Sequence, residues 1–106
     1  MINYDHAADA LQYLVDTDEE AARAKVLYEG LYEQRKTIRA VSFLNATGSA
    51  AERTERALAS ETYQEHLLLI KDAQIEFEIL RNKRFTKQSI IEMWRSVNSN
   101  QKKGNI

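Results

Sequence analysis

The chain has 106 residues, a formal net charge of −1, no cysteine, no proline and three glycines. That length suits one small domain rather than two, and the lack of cysteine excludes disulfides and thiolate metal sites. A sandwich or barrel needs turn residues every 8–12 positions or so; they are absent, so the composition points to an all-α protein of long helices.

Taken from the start, MINYDHAADA has neither a basic region nor an apolar run, so it is not expected to be a signal peptide. The segment YDHAADALQYLV carries Ala7, Ala10, Leu11 and Leu14 at helical spacing. It predicts a short N-terminal helix ending near Asp16. In TDEE, Thr17 and Glu20 have the spacing of a capping box, and Asp18 and Glu19 suit the positive end of a helix dipole. A second helix is therefore expected from there to about Leu44, with a stripe of Ala24, Leu27, Leu31, Ile38 and Val41.

NATG at 45–48 should stop this helix, Gly48 being free to adopt positive φ. Ser49 and Glu52 repeat the capping box and predict a short helix to about Ala59. Ser60 either caps a further start or lies within a continuing helix. From Glu61 to about Val97 nothing breaks the pattern, which is ~37 residues or roughly 55 Å of helix. The longest apolar run, Leu67 to Ile70, is far too short to span a bilayer. No membrane role and a cytoplasmic location are the expectations.

The last helix has two apolar faces. One comprises Tyr63, Leu67, Ile70, Ala73, Phe77, Leu80, Ile91 and Trp94. The other comprises Leu68, Ile75, Ile79, Ile90, Met93 and Val97. One partner helix covers one stripe, so the second face is read as an oligomer interface. The predicted architecture is an antiparallel helical hairpin of two long helices with an additional short N-terminal helix, self-associating into a bundle. Folding at about residue 52 sets 18–33 beside 71–86 and leaves 87–97 against the N-terminal helix. The single domain covers 1–97, and 98–106 is a flexible polar and basic tail.

Charge is segregated along the chain. Residues 1–34 hold eight acids and two bases, 35–59 five bases and two acids, 60–80 five acids and one base, and 81–106 seven bases and one acid. Enzyme motifs are missing. His6 and His66 form no metal pair, no glycine-rich phosphate loop occurs, and no serine sits in a nucleophile elbow. A non-enzymatic protein without cofactor or metal is expected. The basic cluster Arg81, Lys83, Arg84, Lys87 and Arg95, with Lys102 and Lys103 behind, has two readings. It pairs with Asp18, Glu19, Glu29 and Glu33 across the hairpin, or it binds the phosphates of single-stranded DNA with Phe85 stacking on a base. Trp94 falls on the apolar stripe and is assigned to the core.

The stretch RFTKQSIIEMWR, with the long helix before it, resembles the C-terminal part of the UvsY recombination mediators of tailed phages. The matching positions are Arg84, Phe85, Lys87, Ile91, Met93 and Arg95. The resemblance covers about the last 45 residues, and the rest in layout only. It implies a helical homo-oligomer that binds single-stranded DNA and assists a RecA-like recombinase or a single-strand-binding protein in phage recombination or replication. The alternative is a bundle-forming interaction adaptor or assembly factor with no nucleic acid.

Overall fold

A computed structural model describes residues 2–104, with side chains through Gln101. Its elements, in order, are α1 (Tyr4–Asn45), α2 (Ala50–Ala59) and α3 (Glu61–Gly104), and the described residues contain no strand.

Helix α1 begins with a reciprocal cap. The Asn3 N–H donates to His6 Nδ1 at 3.2 Å, and the His6 N–H donates to Asn3 Oδ1 at 3.0 Å. The helix then runs for 42 residues without interruption. The expected separate N-terminal helix is therefore corrected: there is no break at Asp16, and the short helix is α2, in the middle of the chain. Between Val15 and Glu20 there is no glycine or proline, and Asp and Thr cost no more than about 0.7 kcal/mol each inside a helix. Thr17 does not cap. Its hydroxyl donates back to Tyr13 O at 2.7 Å, a bond made inside a continuing helix.

The turn after α1 follows the local chemistry. Gly48 has φ +110, a conformation that strains any residue bearing a Cβ. Ser49 caps α2, its Oγ accepting from the Glu52 N–H at 3.2 Å and donating to Glu52 Oε1 at 3.1 Å. Ser60 closes α2 and opens α3: its N–H donates to Ala57 O, while its Oγ accepts from the Tyr63 N–H at 3.3 Å. Of the two options for Ser60, the cap is the one found. Helix α3 extends past the expected end at Val97 to Gly104, since no breaker precedes that glycine.

The chain forms two compact units. One contains Arg23–Phe77, the other the residues up to Ala22 and from Glu78 onward. In the Arg23–Phe77 unit, the less exposed positions of α1 include 24, 28, 31, 35, 38 and 42, and those of α3 include 63, 66, 70, 73 and 77. This alternating spacing of three and four is a coiled-coil seam. Tyr28 stacks on Phe77 with ring centroids 5.7 Å apart. His66, only 5% exposed, donates its Nε2 hydrogen to Leu31 O at 2.7 Å. Helix α2 contributes Ala57, which is fully covered. Arg53 closes the C-terminus of α1, its Nε donating to Phe43 O at 3.2 Å with the guanidinium over the Phe43 ring. The expected α1 stripe holds at Ala24, Leu31 and Ile38. Leu27 and Val41 are exposed instead, because the seam passes through Tyr28, Arg35 and Ser42.

In the other unit the covered positions include 7, 10, 14, 17 and 21 on α1, and 80, 84, 87, 91, 94 and 98 on α3. Ala7 and Ala10 are buried, and such small residues allow large neighbours to approach a helix backbone. Trp94 is half-buried and meets Tyr4 edge-on at 5.9 Å between centroids, in keeping with its assignment to the core side. Throughout the described residues, no large side chain is fully buried.

Candidate interaction surfaces

The basic cluster of α3 is largely spent on the protein itself. Arg84 sits at a seam position with its side chain 18% exposed. Its Nη1 donates to Leu14 O at 2.8 Å and to Thr17 Oγ1 at 2.7 Å, and its Nη2 reaches Asp18 Oδ1 at 3.3 Å. Lys87 also lies at the seam, its ammonium 5.5 Å from the centre of the Tyr13 ring. Arg81 pairs with Glu78 at 3.2 Å and Arg95 with Glu92 at 3.5 Å, both within α3 and both exposed. Lys83 is exposed and forms no ion pair with the described residues. Lys102 and Lys103 have side chains outside the described residues.

Of the acids expected to face this cluster, Asp18 meets Arg84. Glu29 pairs instead with Lys25, and Glu33 with Lys36. Arg35 is turned onto its own helix, 3.8 Å from the Tyr32 ring centre and donating to Tyr32 O at 3.0 Å.

The linear charge pattern cancels in the Arg23–Phe77 unit and is partly offset in the other. In the unit holding the chain's ends, residues 1–22 carry six acids and no base, while 78–101 carry five bases and two acids. In the other, residues 23–45 carry five bases and two acids, and 61–77 four acids and one base. Each unit therefore combines an acidic stretch of one long helix with a basic stretch of the other. In the unit with the chain's ends, Arg84 and Asp18 join the two stretches directly.

Apolar side chains remain outward as well. Phe85 is 68% exposed. Leu68, Ile75, Ile79 and Met93 are exposed as well. Ile90 and Val97, expected on the same oligomer face, are half-buried. Leu11, Val15, Val26 and Leu44 are exposed on α1. Sequence reasoning missed His66 and Arg84 as seam residues. The signal available was their phase, in step with Ile70, Ala73, Phe77 and Leu80 at alternating spacings of three and four.

An open depression of about 400 Å³ is lined by Ser42, Asn45, Thr47, Arg56, Ser60 and Thr62, among others. Its Arg56 is already engaged by Thr47 Oγ1 at 3.1 Å and by Glu52 at 3.9 Å, so it offers no free charge to an anion. Among the described residues, no helix is long and apolar enough to cross a membrane, and no cluster of His, Asp and Glu is suited to a metal ion. Comparison with protein-family models, with curated proteins and with solved structures finds no match to this chain.

Proposed function

We propose that this chain is a non-enzymatic helical association protein of the cytoplasm. In this reading α1 and α3 form an antiparallel hairpin, and further copies join it in a bundle that serves as an adaptor or assembly factor. One observation carries the reading: among the described residues no large side chain is fully buried, while Leu68, Ile75, Ile79, Phe85 and Met93 are exposed on one helix. Apolar surface on that scale marks an association site. Light scattering on the full chain at micromolar concentration tests it. A mass of at least two copies is expected, and a monomer at ~100 µM overturns it.

The second reading, a phage recombination accessory that binds single-stranded DNA beside a recombinase or single-strand-binding protein, draws on Phe85. This exposed ring lies two residues beyond Lys83, which forms no ion pair with the described residues, and one turn beyond the exposed Arg81. Titration with labelled poly-dT at two salt concentrations tests it. If it holds, Phe85→Ala costs ~1–3 kcal/mol of binding with an unchanged salt slope. Lys83→Ala flattens the slope by ~0.7 for the lost phosphate contact. Absence of binding at ~50 mM salt, where the electrostatic attraction is strong, overturns this reading and leaves the first standing.

A further inference from the structure

Resting on the association reading, we propose that copies of this chain join head to tail through the two broad sides of the Arg23–Phe77 unit, the basic side of one copy docking on the acidic side of the next.

Within this unit the contacts Tyr28–Phe77, Leu31–His66 and Ser42–Ser60 run up α1 and down α3, so the two stretches lie antiparallel. Antiparallel right-handed helices turn in opposite senses when viewed from one end. An equal rotation away from the seam therefore leads to the same broad side on both. At about 100° per residue, Tyr32, Lys36 and Arg39 lie about 60–120° from the centre of the α1 seam in one direction, and Lys71 lies about 120° from the α3 seam in that same direction. In the other direction Leu27 and Val41 lie about 60–100° from the α1 seam, and Leu69, Asp72 and Glu76 about 80–140° from the α3 seam. All of these residues are exposed. Helix α2 covers one end of the first side, where Arg53 lies over the Phe43 ring. The second side is left bare, with Leu27, Val41 and Leu69 each more than half exposed.

The two sides carry opposite free charge. On the first, Lys25 and Lys36 are paired along α1 with Glu29 and Glu33, whereas Arg39 and Lys71 form no ion pair with the described residues. On the second, Asp72 and Glu76 form none either, nor does Glu65 beside them. The base on that side is Arg23. The chain thus holds both halves of one contact, and a second copy brings to each side the charge it lacks. Like sides set face to face repel, which disfavours a two-fold pairing through either one. Across the unlike contact, the Tyr32 ring and the stems of Lys36 and Arg39 can cover Leu27, Val41 and Leu69 while their polar ends reach the acids. Such a contact leaves one side of each copy open, so it continues into a ring or an open array.

Sedimentation of the full-length chain tests this. The mass of the parent should rise past two copies between ~1 and ~100 µM. It should fall when NaCl is raised from ~50 to ~500 mM, because the exposed pairs are screened. Asp72→Lys with Glu76→Lys should weaken self-association at least about tenfold, and Arg39→Glu with Lys71→Glu should do the same. Mixing the two variants should restore association to within about threefold of the parent, since each supplies the side that the other now matches. Circular dichroism checks that the variants keep their helix content, and the salt response of the parent needs no variant. A parent that stops at two copies, that associates more strongly in high salt, or whose reversals are inert or fail to recover on mixing overturns the head-to-tail contact and leaves the association reading intact. A monomeric parent at ~100 µM overturns both.

Discussion

Arg84 shows how a single residue changes its meaning when its surroundings are known. In the sequence it is one of five cations crowded between positions 81 and 95. In the fold its guanidinium joins α3 to three groups on α1: Leu14 O, Thr17 Oγ1 and Asp18. Hydrogen bonds to a charged group contribute ~1.5–3 kcal/mol when partly shielded from water. Arg84→Ala should therefore lower the unfolding free energy by about 2 kcal/mol, measured by urea denaturation. Lys83→Ala, one residue away and exposed, should change it by less than about 0.5 kcal/mol. Equal effects would mean that Arg84 is a surface charge like its neighbour. His66 makes the same point: isolated in the sequence, it is a seam residue bonded to Leu31 O.

At the scale of the element, the helix ends are decided by a few atoms. The break between α1 and α2 depends on Gly48, where an added Cβ would lie 2.8 Å from Glu52 Oε2 and 3.2 Å from Glu52 Cβ. Gly48→Ala combines that contact with a positive φ and should cost about 1–2 kcal/mol. Ser49→Ala removes the α2 cap and should cost about 1 kcal/mol. Thermal melts of the two variants check both values. A neutral Gly48→Ala would show that the turn can relax to another geometry. By contrast, Thr17 and Glu20 match the same capping pattern and cap nothing, because the chain has no reason to leave the helix there. A capping motif stabilises a start only where a break already exists.

At the scale of the whole molecule, charge and apolar surface play different parts. Each unit pairs an acidic stretch with a basic one, so the charges favour the orientation in which the units form. Raising NaCl from ~20 mM to ~500 mM should then lower the melting temperature, since exposed pairs are screened beyond a Debye length of about 4–5 Å at the higher salt. A melting temperature that is flat or rises over that range would show that charge complementarity contributes little to stability. The seam itself depends on its aromatic anchors. Trp94→Ala, which removes the ring set against Tyr4, should cost about 3 kcal/mol, read as a shift in the denaturation midpoint.

The all-helical class, the stop at residues 45–48, the cap at Ser49 and the covered face of α3 could all be read from the sequence. These are local properties: the lack of breakers, the spacing of apolar residues and the chemistry of one turn. Tyr63, Leu67, Ile70, Ala73, Phe77, Leu80, Ile91 and Trp94 were expected on one face, and each is buried or half-buried. Only the tertiary structure decided that α1 is a single helix and that its seam runs through Tyr28, Arg35 and Ser42 rather than Leu27 and Val41. It also decided that Arg84 and Lys87 face inward. Those outcomes depend on residues some 35 to 90 positions apart, such as Leu31 with His66, Thr17 with Arg84 and Tyr4 with Trp94. His66 and Arg84 are polar side chains at seam positions whose hydrogen bonds come from distant partners, and a pattern read along one helix does not contain those partners.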